Sequence, residues 1–345
     1  MSDINVQKLA GLDEAARAAL VRRSESDLSF FLEKVQPIID AVKNEGDAAL
    51  VRYGRDFDKA VSLTAETLQV SEAEFDEAFG LVDDKVIEAI RFGIGNIKNF
   101  HEEQAPEPMW LKEVRPGAFA GDRYLPINSV ALYVPRGKGS FPSVTMMTAV
   151  PGVVAKVPNL AIFTPPGPDG KVDAATLVAA RIAGVETVYK CGGAQAVAAA
   201  AYGTETVKKA HKIVGPGSPW VVAAKRLLAG IIDPGLPAGP SECVILADDT
   251  VSGRLAAMDL LIEAEHGPDS SAWLVTPSER VVEEALAAIP ELWGKMTEQR
   301  VEFSRTVLTG QSGGIVLAKD MDDACAFVNE YAPEHLEIMS TKPFN

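Results

Sequence analysis

The feature that most limits what this chain can fold into is an alternation that begins near residue 128. The short apolar runs SVALYVP, LAIFTPPG, TVYKCGG, KIVGPG, CVILADD, SAWLVTP and GIVLA are separated by stretches with helical spacing. A strand covered on both faces reads as a short continuous apolar run, because neither face needs polar side chains. Strands that alternate with helices make βαβ units, and the crossover helix forces the two strands to run parallel. The expectation is an α/β protein. Seven such runs plus a helical region before them exceed one small layer, so two sheets are expected. The Pro/Gly-rich stretch DPGLPAGPSE (233–242) reads as the boundary between them.

Residues 1 to about 110 read as helical. LSFFLEKVQPIIDAVKNEGDAALVRYGRDFD and SEAEFDEAFGLVDDKVIEAIRFGIGNIKNFHEEQ place apolar residues three and four apart. Ser71 and Glu74 have the spacing of a capping box at the start of the second stretch. GIGNIK (93–98) lies inside that helix and lacks the third glycine of a dinucleotide fingerprint.

Charge narrows the function. A net charge of −15 over 345 residues argues against nucleic acid, whose phosphates need a basic surface, and equally against an acidic membrane surface. The N-terminus has no apolar h-region, and no run of about 18 apolar residues exists to span a bilayer. Three scattered cysteines, Cys191, Cys243 and Cys325, show neither C-x-x-C spacing nor a disulfide framework. A reducing cytoplasm is the expected location.

Two turns, CGGAQAVAAA (191–200) and VGPGSPWVVAAKR (214–226), run from a strand through glycines into a helix. Glycines let backbone N–H groups approach a ligand, and helix N-termini attract phosphate. One such turn is often only a tight connection; two in one sheet favour a nucleotide crevice. LYVPRGKGSFPS (132–143) carries Arg136 and Lys138 in a glycine-rich loop, which would close over phosphates with Tyr133 against a ring, or be a plain solvated loop.

IEAEHGPDSS (262–271) ends a helical stretch in which Leu255, Met258, Leu261 and Ile262 fall at helical spacing. Glu263 and His266, three apart, offer an oxygen and a nitrogen on one side to a divalent metal such as Zn²⁺. Most such pairs are solvated ion pairs. A second pair, Glu334-His335 in YAPEHLEI, follows a proline in a turn-like context and suits general acid–base work. These two pairs hold half of the four histidines; His101 and His211 read as surface residues.

CGGAQAVAAAAYGTETV, KIVGPG, PAGPSE, AEHGPDS and YAPEHL stand in the order and spacing of the histidinol dehydrogenase family, and VQPIIDAVKNEGDAALVRYGRDFD is similar to its opening helices. The chain resembles that family over nearly its whole length. The resemblance implies two incomplete Rossmann-like domains, one inserted in the other, with a helical N-terminal region, in a homodimer. Its division would be 1–130 (the helical region and the first part of domain 1), 131–240 (the inserted domain 2) and 241–345 (the rest of domain 1). The reaction implied is an NAD- and zinc-dependent four-electron oxidation of a primary alcohol to a carboxylate through an aldehyde. Residue by residue, Glu263 and His266 match zinc ligands that also touch substrate. Ser241 and His335 match substrate contacts, Glu334 and His335 the catalytic pair, and Tyr133, Gln195 and Ser218 the NAD contacts.

Three features depart from the family pattern. Glu263 stands where typical histidinol dehydrogenases have Gln, and Ser218 where they have an Asn that contacts NAD. Both changes point to paralogues acting on other primary alcohols, such as sulfopropanediol; L-histidinol to L-histidine is the alternative. The chain also stops at MSTKPFN, before the family's remaining zinc ligands and its substrate-ammonium contact, and so resembles a C-terminally truncated member with an incomplete zinc set. Two other classes stay open: an aldehyde dehydrogenase with Cys191 as nucleophile, and a non-catalytic nucleotide-binding protein.

Overall fold

The computed structural model describes residues 4–21, 28–136, 139–236 and 239–344. Lys138, one of the two basic loop residues singled out above, lies outside them. In chain order the elements begin with β1 (Val6–Lys8), α1 (Glu14–Leu20), α2 (Ser29–Glu45), α3 (Asp47–Asp56), α4 (Glu72–Leu81) and α5 (Asp84–Gln104). Then come β2 (Met109–Arg115), β3 (Ala118–Arg123), β4 (Ser129–Tyr133), α6 (Pro142–Val154), β5 (Asn159–Thr164), α7 (Ala174–Ala183) and β6 (Thr187–Lys190). After these follow α8 (Gly193–Tyr202), β7 (Lys212–Val214), α9 (Pro219–Leu227), β8 (Glu242–Ala247), α10 (Gly253–Ala264) and β9 (Ser271–Thr276). The last are α11 (Glu279–Trp293), α12 (Glu298–Thr309), β10 (Gly313–Leu317), α13 (Met321–Tyr331) and β11 (His335–Met339).

All seven apolar runs are strands, in two parallel sheets. One has the order β6-β5-β4-β7, the other β1-β10-β9-β8-β11. A separate antiparallel pair, β2-β3, lies between α5 and β4 in sequence. The fold is α/β, with parallel sheets covered by helices, as the alternation requires. β4 shows the reason: every residue of SVALY is buried, with helices on both faces.

Contacts divide the chain into two compact units, Met1–Ser26 with Gly239–Asn345, and Asp27–Ala238, so in sequence the second is inserted in the first. This grouping differs from the expected one for the N-terminal helices. α2 to α5 do not join the residues after 240; they build the cores of the inserted unit. Val35, Ile39 and Val42 of α2 pack with the alanines of α8 and with Val221, Ala223 and Ala224 of α9 on one face of its sheet. Phe75 of α4 and Ile90 of α5 pack with Leu177 and Val178 of α7 on the other. A run of small residues, Ala198–Ala201, lets α2 come close, and that choice of partner is invisible in helical spacing alone. The other unit packs α10, α11 and α12 on one face of its sheet and α13 on the opposite face.

Local readings fared unevenly. The Ser71–Glu74 capping box forms, with Ser71 N–H donating to Glu74 Oε2 at 3.0 Å. GIGNIK lies within α5. Four strands stand where the sequence pattern predicts none: β1, the two strands of the β2-β3 hairpin, of which β2 begins within the stretch expected to be helical, and β11, whose first residue is His335. The apolar stripe assigned to α10 is also corrected. Leu255, Met258 and Ile262 are exposed, while Ala256, Ala257, Leu260, Leu261 and Ala264 face the core. Alanines carry most of that buried face because α11 packs close against it.

Candidate active site

In the unit built on β8, the predicted residues converge at the amino ends of strands. α10 follows β8 and runs back antiparallel to it, so the C-terminus of α10 returns to the edge where β8 begins. Glu263 sits in its last turn. The helix ends at Ala264, so His266 belongs to the following turn, where its N–H donates to Glu263 O at 3.2 Å. That turn still brings the side chains together: Glu263 Oε2 lies 3.5 Å from His266 Nδ1.

From the other side, β11 pairs with β8 in parallel register, and His335 stands opposite Cys243. Glu334 lies in a bend after Pro333, in keeping with the turn-like context, but His335 already begins an edge strand, which fixes it. Glu334 immediately precedes it, with Oε1 4.0 Å from His335 Nε2. A cleft of about 440 Å³ is lined by Cys243, Asp259, Glu263, Glu334, His335 and Glu337, among others. Glu263 and the Glu334-His335 pair thus share one cleft. Ser241 is at the same edge, one residue before β8, where its carbonyl accepts a 2.8 Å hydrogen bond from Ser271 N–H. Neither Ser241 nor His266 lines the cleft.

Three cleft residues escaped the sequence reading. Asp259 is one helical turn before Glu263, and Glu337 is two residues after His335 on the same strand face. Cys243 is the partner of His335 in register. A turn-like context for Glu334-His335 conceals the two-residue period that places Glu337 on the same strand face as His335. Burial raises the carboxyls of Asp259 and Glu337, and for Glu337 the charges of Asp259 and Glu263 push the same way. Burial, then Glu263, Glu337 and Asp259, lift the Cys243 thiol to about 12. The cleft is strongly negative and will favour a cation.

The donor pair fits zinc in part. His266 Nδ1 lies 3.1 Å from the Glu263 carbonyl oxygen, which can only accept, so Nδ1 carries the proton and a metal would be held through Nε2. Among the described residues no group of three or more His, Cys, Asp or Glu is placed to hold a metal ion. The pair would therefore supply at most two donors of a larger set.

The inserted unit presents its glycine turns at the carboxyl ends of its strands. In the order β6-β5-β4-β7 the chain moves outward from β4 in one direction, then returns to its other side, which makes a switch point between β4 and β7. Gly215 follows β7 at this point with φ +115°, and a Cβ there would lie 2.1 Å from Tyr133 O at the end of β4. Only glycine lets these turns close so tightly. Gly192 does the same after β6, where a Cβ would meet Pro165 at 2.2 Å.

Tyr133 departs from expectation. Rather than lying open in the loop, its ring is buried, and its hydroxyl accepts a 3.0 Å hydrogen bond from Gly193 N–H at the start of α8. Burial raises its phenol. Gln195 is buried in the first turn of α8, and among the described residues its Oε1 has no hydrogen-bond partner. Ser218, exposed, takes the N-cap position of α9. Two helix N-termini, glycine turns and an orphaned amide oxygen fit a dinucleotide. Cys191 is fully buried, and burial raises its thiol, so it lacks the accessible thiolate of a nucleophile. His211 is exposed, with Nδ1 2.7 Å from Ser129 Oγ, and His101 is half-buried on α5; both are remote in sequence from the candidate pairs.

A profile of the histidinol dehydrogenase family matches residues 21–345. The chain belongs to the histidinol dehydrogenase family. It is 75% identical over 344 residues to a protein named histidinol dehydrogenase homolog from Cereibacter sphaeroides, covering 100% of this chain and 78% of the relative. A protein named histidinol dehydrogenase from Synechocystis sp. is 49% identical over 338 residues, covering 98% of this chain and 77% of its own length. The crystal structure of histidinol dehydrogenase from Elizabethkingia anophelis aligns with a TM-score of 0.90 at 32% identity, over 99% of this chain and 77% of that one. As a family member the protein is an oxidoreductase. Among the described residues, no helix is long and apolar enough to cross a membrane.

Proposed function

We propose that this protein oxidises a primary alcohol to a carboxylate through an aldehyde, using NAD and zinc, with L-histidinol as the substrate. The cleft that joins Glu263 to Glu334 and His335 carries this reading. Glu263 and His266 would be two of the zinc ligands. Bound zinc would supply a Lewis acid at the reacting oxygen, and NAD⁺, two per turnover, would accept one hydride from the alcohol and one from the hydrated aldehyde. The remaining chemistry belongs to side chains. Nε2 of His335 would take the alcohol proton, and the Glu334 carboxylate would take a proton from the water that attacks the aldehyde. Both sit at the rim of the cleft, half-exposed, where a proton can pass on to solvent.

Substrate charge favours histidinol over a sulfonate. Asp259, Glu263, Glu334 and Glu337 surround the cleft, and such a field attracts the ammonium of an amino alcohol and repels a fixed anion. The name of the Synechocystis relative, histidinol dehydrogenase, supports the same choice. A second reading, a paralogue acting on another alcohol such as sulfopropanediol, rests on Glu263 and Ser218 in place of the family's Gln and Asn. It is also supported by the word homolog in the names of relatives 58–75% identical, which is absent from names at 49% and below. A homodimer is part of the proposal. The β2-β3 hairpin supports it, since a lone two-stranded hairpin exposing Met109, Trp110, Leu111 and Phe119 is the kind of surface a subunit covers.

Steady-state oxidation of histidinol and sulfopropanediol with NAD⁺ tests the reading. A kcat/KM for histidinol on the order of 10⁴ M⁻¹s⁻¹ or above supports it. A clear preference for sulfopropanediol would replace it with the second reading.

A further inference from the structure

Asp58 lies just after α3, and the packing of its unit does not explain its carboxylate. Among the described residues its Oδ2 is buried and has no hydrogen-bond partner. Its backbone N–H is accounted for, donating to Gly54 O at 3.2 Å. Burial pushes the carboxyl up to about 6, against the pull of Arg136. A buried carboxylate oxygen without a donor costs stability, and such groups cluster at functional sites.

The carboxylate also lines a cleft. About 470 Å³ opens beside Asp58, walled by Arg136, Ser140, the Pro165–Pro168 turn and Asp173. Its described wall residues follow β4 and β5, so it lies at the carboxyl ends of the strands, where α/β sheets take nucleotides. Pro165 touches the Gly192 turn that leads into α8. Ser140 and Asp173 satisfy one another, with Ser140 Oγ donating to Asp173 Oδ2 at 2.7 Å. Asp58 is left as an acceptor wanting donors, Arg136 as a cation, and the prolines as flat apolar walls. A nucleoside offers the complement: vicinal ribose hydroxyls as donors, a neighbouring phosphate, and a base to lie on the wall.

We propose that Asp58 accepts hydrogen bonds from ribose hydroxyls of the bound dinucleotide and selects NAD over its 2′-phosphorylated form. The proposal rests on the NAD-dependent reading above. A carboxylate at the hydroxyls bonds the diol of NAD and repels the phosphate that replaces one hydroxyl in NADP. The position is unusual, since the typical ribose acid of a dinucleotide fold lies in the same βαβ unit as the glycine turn. Here it comes from the turn after an N-terminal helix.

Equilibrium titration with NADH and NADPH, alongside thermal unfolding of the free protein, tests this in wild type, Asp58→Asn and Asp58→Ala. Wild type should favour NADH. Asp58→Ala should weaken NADH roughly 10–100-fold, the loss expected for hydrogen bonds to a charged acceptor, and close the gap to NADPH. Without dinucleotide both variants should unfold at or above the wild-type temperature, because an unpaired buried carboxylate is gone. Unchanged NADH affinity in a folded Asp58→Ala protein overturns the proposal, as does weaker binding accompanied by a lower unfolding temperature, which marks a structural role. If wild type binds neither NADH nor NADPH, the NAD-dependent reading fails first and the proposal falls with it.

Discussion

His335 stands opposite Cys243 in the parallel pairing of β11 with β8. The residue proposed as general base is thereby held by a strand backbone rather than a free loop, at the edge to which α10 brings Glu263. The site draws on a helix end and two strand starts, so its parts are fixed by the same packing that makes the core.

Glu334→Gln should separate the two half-reactions. If Glu334 takes the proton of the attacking water, the variant should slow aldehyde-to-acid conversion by roughly 10²–10⁴-fold while alcohol-to-aldehyde conversion falls far less. Single-turnover measurements with alcohol and with aldehyde supplied directly decide it. Equal slowing of both halves would assign Glu334 another role.

His266→Ala should lose zinc. Metal analysis of the purified protein is expected to give about one zinc per subunit, and removal of a direct ligand should weaken binding at least as much as the roughly 10–100-fold seen for supporting partners. Glu263→Gln should keep the metal, since an amide oxygen still binds and only the charge changes. Full zinc occupancy in His266→Ala would take that residue out of the coordination sphere.

Much of this was legible in the residues, and the failures share a cause. Seven of the nine parallel strands among the described residues announced themselves because a strand buried on both faces has little use for polar positions. Residues 332–339 did not, because β11 is an edge strand with alternating Leu336, Glu337 and Ile338 and only its last residue is buried. With the strand unread, Glu337 could not be placed beside His335. α10 misled in the opposite way: Leu255, Met258 and Ile262 looked like the core face, yet alanines fill the narrow gap to α11 and leave the larger side chains outside. Asp58 carried no signal in sequence, since its meaning lies in which donors are missing around it.

Cys191→Ser should retain turnover. The thiol is fully buried, and burial together with the charges of Asp58 and Asp47 raises it away from the thiolate form. A hydroxyl there costs about 1–3 kcal/mol of stability, so activity is best compared on folded protein. Likewise, iodoacetamide should not inactivate the native enzyme. A collapse of kcat in a folded Cys191→Ser protein would instead argue for a covalent aldehyde dehydrogenase mechanism.

Lys225 should make stability depend on pH in the alkaline range. Its Nζ donates to Gly215 O at 2.6 Å, tying α9 to the turn that closes on Tyr133. It also lines a cavity of about 300 Å³ with Leu28, Val221, Val222 and Leu236, and burial lowers the amine from the ordinary 10.5 to about 8. The folded protein therefore holds this proton more weakly than the unfolded chain does. Its cost to stability is full below about pH 8 and fades as pH rises towards 10.5, so this group makes the native state more stable with pH over that window. The shift corresponds to about 3 kcal/mol at most. Lys225→Met removes the buried charge but also the hydrogen bond to Gly215, worth about 0.5–1.5 kcal/mol once the amine is neutral. The variant should then match or exceed wild-type stability at pH 7 and fall behind it at pH 10. Urea unfolding of both proteins at the two pH values gives the difference directly. A gap between them that stays constant from pH 7 to pH 10 would mean the Lys225 amine titrates alike in the folded and unfolded chains.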